Sequence, residues 1–137
     1  MALCICTQQA VKLMQEKGID DGQIIHISSI DAHKVPNPGR MESFFYCGTK
    51  FMVRALTEGL RRELKAGNSH IRVGSISPAY VETEYFANFS KIPAADISAF
   101  FKSFEPIRPK DIADSVLHIL SAPPRVEIHD VIIENSI

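Results

Sequence analysis

The chain has 137 residues, 45% hydrophobic and 23% charged, the balance of an ordinary globular protein with enough length for one core without disulfide or metal staples. Its 15 Lys and Arg against 16 Asp and Glu leave a formal net charge of −1, which excludes the one-signed positive field that gathers nucleic acid or anionic lipid. The three cysteines, Cys4, Cys6 and Cys47, are odd in number and lack paired zinc spacings, so neither a disulfide framework nor a metal site is expected.

From Ala2 to Lys17 the residues Leu3, Val11 and Met14 recur at helical offsets, and Gly18 closes the helix. The apolar opening Met1 to Thr7 meets Gln8, Gln9 and Lys12 too early for a secretory signal, and no apolar run approaches the ~20 residues of a membrane span. A soluble, cytoplasmic protein is expected. Gln23 to Ser29 is a β-branched run after Asp20-Asp21-Gly22 and reads as a buried strand ending in Ser28-Ser29. Ile30 to Glu42 contains Pro36, Asn37, Pro38 and Gly39 and reads as an irregular loop.

Ser43 is placed to cap a long helix in which Met52, Leu56, Leu60 and Leu64 share a face, ended by Gly67 and Asn68. Ile71 to Ser77 reads as a second strand stopped by Pro78, followed by a mobile segment from Ala79 to Pro93 without periodicity. Asp96 to Phe104 reads as a short aromatic helix. Pro109 opens another, with Ile112, Ala113, Val116, Leu117 and Leu120 facing inward, and Val126 to Glu134 reads as a third strand. This alternation predicts a single α/β domain: a parallel sheet of three strands with flanking helices.

In open α/β sheets ligands bind beyond the carboxyl ends of the strands, which here carry Ser28-Ser29 and Pro78. Tyr46 and Lys50 lie four apart on the following helix, one turn from each other. A phenol near pKa 10 is a poor base until a positive charge favours its ionised form, and Lys50 supplies that charge. Ser29 is then placed to hold a carbonyl oxygen while Tyr46 gives or takes its proton. The bland alternatives are a packing tyrosine beside a solvated lysine, and a serine that only caps a strand, a task better suited to Ser28. His26 reads as a satisfied core residue, Arg61, Arg62 and Lys65 as a solvated basic face, and Phe44, Phe45, Phe51, Phe101 and Phe104 as core or cleft lining.

These residues resemble the short-chain dehydrogenase/reductases. Gln23-Ile-Ile-His-Ile-Ser-Ser29 is similar to the family's strand ending in its active-site serine, and Tyr46-Cys47-Gly48-Thr49-Lys50 to its Tyr-x-x-x-Lys signature. Ile76-Ser77-Pro78-Ala79-Tyr80-Val81-Glu82-Thr83 is similar to its strand-to-loop segment along the nicotinamide side, with Ala79 where the family has Gly. Leu56 to Leu64 and His70 to Val73 resemble the family's member 11 group and insect farnesol dehydrogenase-like proteins. The resemblance implies catalytic roles for Ser29, Tyr46 and Lys50, and cofactor contacts from Tyr46, Lys50, Pro78, Val81, Glu82 and Thr83. It implies NADP, with NAD the alternative, and a hydrophobic alcohol or carbonyl substrate such as a steroid or isoprenoid.

The seven glycines form no Gly-x-x-x-Gly-x-Gly turn, so residues 1–137 are expected to be a single partial domain. This would be the C-terminal half of a Rossmann-like doubly wound sheet, lacking the dinucleotide-binding half and crippled on its own. The competing expectation is a non-catalytic fragment that pairs with a second copy or a paralogue through the helices at Ala2–Lys17 and Ser43–Ala66.

Overall fold

The computed structural model describes residues 1–35, 41–89 and 93–136, without the side chains of 41–43 and 89. The turn residues Pro36 to Gly39 therefore lie outside the described residues. In chain order the elements are α1 (Ala2–Glu16), β1 (Gln23–Ile27), a 3-10 turn (Ile30–Ala32), α2 (Met41–Ala66), β2 (Arg72–Pro78), α3 (Tyr85–Phe89), α4 (Ala94–Lys102), α5 (Pro109–Leu120) and β3 (Asp130–Ile133). The strands form one parallel sheet in the order β1-β2-β3. The expected α/β layer is present.

Parallel register sets Ile24 beside Val73 and His26 beside Ser75, so side-chain alternation sends all four to one face. There Ile24, Val73 and Ile71 meet Leu64 of α2, with Val11 and Met14 of α1 and Leu60 packed against them. His26 joins both helices to the sheet. Thr57 Oγ1 donates to Val53 O at 2.8 Å, so it accepts from His26 Nδ1 at 2.7 Å, and His26 Nε2 is left to accept from Thr7 Oγ1 at 3.0 Å. Burial lowers the His26 pKa and keeps the ring neutral, the satisfied core histidine that the strand pattern predicts.

The opposite face carries Ile76, fully buried, and Gly74, where a β-carbon would stand 2.5 Å from Ile128 O. Only glycine lets the segment before β3 approach that closely. Arg72, on this face, donates to Ala122 O at 3.0 Å just beyond α5.

Several expectations need correction. α2 begins at Met41, so Ser43 lies inside the helix and is not its cap. The segment after Pro78 is built, through a parallel bridge between Val81 and Ile107 and the helix α3. α5 turns Ile119 inward at 4% exposure and leaves Leu117 at 62%, because its buried stripe is set by where it crosses β2. One face of α2 is left uncovered along the helix, so Phe45 is 81% exposed, and Phe44, Phe51, Met52 and Leu56 are exposed as well.

Arg61 is the largest departure from its predicted surface role. It is 7% exposed, donates from Nε to Val73 O at 3.1 Å and from Nη2 to His129 O at 3.4 Å, and pairs with Glu58 and with Glu127. Burial alone would raise the Glu127 carboxyl, but Lys65, the Val73 amide and Arg61 outweigh it and hold the group below its ordinary value.

At the amino ends of the strands Asp20 accepts from the His70 ring at 2.6 Å, the Ser69 hydroxyl at 2.7 Å and the His70 amide at 3.0 Å. The His70 ring is the largest of these influences, and the carboxyl is lowered from 3.8 to about 2. A depressed carboxyl stabilises the fold above its unfolded value and loses that contribution as pH falls through the folded one. The Asp20 carboxyl carbon should therefore titrate near 2 by NMR, and Asp20→Asn should flatten the pH dependence of unfolding between 3.8 and about 2. An Asp20 titration near 3.8 would contradict the clamp.

Candidate active site

The carboxyl ends of β1 and β2 meet the first turns of α2 at one place, and Ser29, Tyr46 and Lys50 come together there. Ser29 is buried and accepts the Asp31 amide at 3.1 Å, capping the 3-10 turn. Its hydroxyl acts to lower the pKa of the Tyr46 phenol. The capping task given to Ser28 thus falls to Ser29, while Ser28 Oγ is buried without a hydrogen-bond partner.

Lys50 Nζ lies 5.5 Å from the Tyr46 ring centre and donates to Ser28 O at 3.3 Å and Ile27 O at 3.4 Å. An ammonium has three donors, so one N–H remains for a further acceptor. Burial lowers the Lys50 pKa and Asp31 opposes that shift. Tyr46 is pushed well above the ordinary phenol value, first by burial and then by Tyr85 and Asp31, with the Ser29 hydroxyl working the other way. At neutral pH Tyr46 is thus a proton-bearing phenol, placed to donate. The lowering expected from Lys50 is not found: burial sets the direction of the Tyr46 shift, and the ammonium is held by two backbone carbonyls.

Sequence reasoning missed Asp31 and Tyr85. The Asp31 charge acts on Tyr46, Cys47 and Lys50 together, and burial raises its carboxyl against Lys34 and Lys50. The available signal was its place two residues after Ser29. A cavity of about 290 Å³ opens beside it, lined by Ile30, Asp31, Ala79, Tyr80 and Asn135 among others.

Of the positions assigned to the cofactor, Pro78 ends β2 and is buried, and Val81 is bridged to Ile107. Glu82 pairs with Arg108, and Thr83 Oγ1 accepts the Tyr85 amide at 3.3 Å. Glu82 and Thr83 line a second cavity of about 310 Å³ with Ile97 and Phe101. Tyr80, Phe86, Phe100 and Phe104 form an aromatic wall, with the Tyr80 and Phe100 rings edge to face at 5.1 Å.

His33, Ser77 and Asp130 have the composition of a hydrolytic triad without its geometry. Both Asp130 Oδ2, at 2.8 Å, and Ser77 Oγ, at 3.2 Å, address the same ring nitrogen, and Ser77 also donates to Asp130 Oδ1 at 3.0 Å. A base that bridges nucleophile and carboxylate needs both nitrogens. The cluster instead ties the turn after Ser29 to β2 and β3. Among the described residues no group of side chains could hold a metal ion, and no helix is long and apolar enough to cross a membrane.

The sequence profile of the short chain dehydrogenases matches residues 1–93. Dehydrogenase/reductase SDR family member 11 of Bos taurus is 43% identical over 131 residues, 96% of this chain and 51% of that protein. Farnesol dehydrogenase of Aedes aegypti is 37% identical over 134 residues, 98% of this chain and 50% of that one. Among solved structures, the closed form of a serine dehydrogenase complexed with NADP+ is similar at TM-score 0.79 and 25% identity, over 92% of this chain and 48% of that chain. A short-chain type dehydrogenase/reductase from Mycobacterium marinum is similar at TM-score 0.72 and 28% identity, over 93% of this chain and 48% of that one. The chain spans about half the length of the curated relatives it matches. With the profile covering most of its length, and relatives of the kind its motifs led us to expect, the chain belongs to the short-chain dehydrogenase family.

Proposed function

We propose that the chain carries the reacting half of an NAD(P)-dependent oxidoreductase that interconverts an alcohol and a ketone or aldehyde. The observation that carries this reading is the Lys50 ammonium 5.5 Å from the Tyr46 ring centre, one helical turn along α2, and held by the Ile27 and Ser28 carbonyls at the end of β1 beside Ser29. Ser29 orients the carbonyl oxygen, and Tyr46 gives that oxygen its proton in reduction and takes it back in oxidation. A dihydronicotinamide, when bound, supplies the hydride to the carbonyl carbon. The third Lys50 N–H and the Tyr46 hydroxyl suit the hydroxyls of a ribose, which is the fit this chain offers to a dinucleotide.

NADP is the favoured nucleotide, with NAD the alternative; the family resemblance and the NADP+ of the serine dehydrogenase support that order. A hydrophobic substrate of steroid or isoprenoid type is supported by the aromatic wall and by the name of the mosquito relative. We also propose that residues 1–137 act as one partial domain, crippled without a dinucleotide-binding partner half, and that the protein works in the cytoplasm.

The test is made in a chain completed with the dinucleotide-binding half of a relative. Lys50→Met should weaken both NADPH affinity, read by fluorescence, and turnover. Ser29→Ala should lower turnover, and Ser28→Ala should retain it, since the Ser28 hydroxyl is unpartnered and its carbonyl still holds Lys50. Full turnover in Lys50→Met would overturn the assignment. The exposed stripe of Phe45, Met52 and Leu56 favours a second reading, a homo-oligomeric interaction fragment. A stable dimer that binds no dinucleotide in sedimentation and fluorescence measurements would decide for it.

A further inference from the structure

His33 directly follows the 3-10 turn that Ser29 caps, and its ring is held by side chains of two strands. Within that turn the Asp31 amide donates to Ser29 Oγ at 3.1 Å, the Ala32 amide to Ser29 O at 2.9 Å and the His33 amide to Ile30 O at 2.9 Å. A hydroxyl oxygen that accepts the Asp31 amide keeps its own proton for another acceptor. The direction in which Ser29 offers that proton therefore depends on where the turn sits.

Arg54 of α2 donates to Ala32 O at 3.4 Å, and two pairs tie the far end of the turn to β3 and the residue after it. His33 Nε2 lies 2.8 Å from Asp130 Oδ2, and Lys34 Nζ donates to both carboxylate oxygens of Glu134 at 3.1 Å. Lys34 and Glu134 are more than half exposed, whereas the His33 and Asp130 side chains are 16% and 23% exposed, so solvent screens the histidine pair less. Asp130 Oδ1 accepts the hydroxyls of Ser75 at 2.8 Å and Ser77 at 3.0 Å, both buried on β2. Those two bonds aim the carboxylate and leave Oδ2 to the ring. Because Ser77 gives its one proton to Asp130, it meets His33 Nε2 at 3.2 Å as an acceptor, and the proton of this contact stands on Nε2.

We propose that His33 is a positioning residue for Ser29: by donating from Nε2 to Asp130 it pins the turn to β3, keeps the Asp31 amide on Ser29 Oγ, and so aims the Ser29 proton at the substrate oxygen. This rests on the reading of Ser29 as the residue that orients the carbonyl. A histidine that only stabilised the fold would cost turnover equally with or without the Ser29 hydroxyl. A positioning histidine loses its effect once that hydroxyl is gone.

In the unsubstituted 137-residue chain, nitrogen NMR should show a slowly exchanging ring proton on His33 Nε2, a reading that needs no variant. A ring proton on Nδ1 alone overturns the proposal. The Asp31 amide should exchange with solvent faster in His33→Leu than in the parent, and His33→Gln, whose side-chain N–H stands in for the ring Nε2–H, should restore part of the protection. An Asp31 amide unmoved in His33→Leu also overturns it. In the dinucleotide-completed enzyme His33→Leu should lower kcat about tenfold, since misplacing a reacting group by about an ångström costs up to roughly 100-fold. His33→Gln should recover most of that loss, and NADPH affinity, read by fluorescence, should hold in both. Made in a Ser29→Ala background, His33→Leu should lower kcat no further. An equal fall in both backgrounds, or none in either, overturns the proposal while leaving Ser29 its role. Full turnover in Ser29→Ala alone would remove that role and the proposal with it, and the ring proton would then report only a structural link from His33 to Asp130.

Discussion

Tyr46→Phe should reduce carbonyl turnover by at least about 100-fold in the dinucleotide-completed enzyme, the lower bound of what a positioned general acid contributes. The phenylalanine keeps the ring contact with Tyr85 and the place beside Lys50, so the fold should lose no more than about 1 kcal/mol, as for a substitution that keeps its packing. Affinity for NADPH should persist, because Lys50 keeps its place against the Ser28 and Ile27 carbonyls. The measurement is steady-state turnover at saturating NADPH, paired with fluorescence binding. Near-parental turnover with cofactor bound would return Tyr46 and Lys50 to an ordinary pair on a helix.

The largest expected effect on stability belongs to Arg61. Arg61→Met removes the donors to Val73 O and His129 O and withdraws a positive charge from Glu127, which is 15% exposed at its side chain. Leaving a half-buried carboxylate short of one of its cations, and the Val73 and His129 carbonyls short of a donor, should cost about 3 kcal/mol, read as a fall of roughly 10 °C in Tm for a domain of this size. Arg62, one residue on, has its side chain 79% exposed and pairs with Glu58. Arg62→Met should therefore change stability by no more than about 0.5 kcal/mol. Equal effects of the two substitutions would remove Arg61 from the core.

That contrast shows where the sequence was readable. Local patterns sufficed for the strand ending at Ser28-Ser29, for the pairing of Tyr46 and Lys50 across one helical turn, and for the proline that opens α5, because each depends on neighbours a few residues away. Arg61 and Arg62 look alike in sequence. What separates them is a pair of carbonyls, one on β2 and one just before β3, that face Arg61 only after the sheet has assembled. The inward face of α5 failed for the same reason, since the crossing with β2 chose Ile119 over Leu117. Asp31 and Tyr85 escaped notice because a turn and a five-residue helix carry no periodicity, although both act on the Tyr46 phenol.

The sheet order also governs how the molecule comes together in time. β2 lies between β1 and β3, and its partners on either side are roughly 50 residues away along the chain in both directions. Neither pairing begins with a tight hairpin, so the loop-closure entropy of each is spent before any ladder bond repays it. α2, with 26 residues of local hydrogen bonds, forms on a far shorter timescale than a sheet of this kind. Sheet assembly is thus the slow event. Ser29 and Tyr46, which reach each other only when β1 is docked beneath α2, become a reaction centre at the end of folding, so a partly folded chain carries the residues of the site without its chemistry.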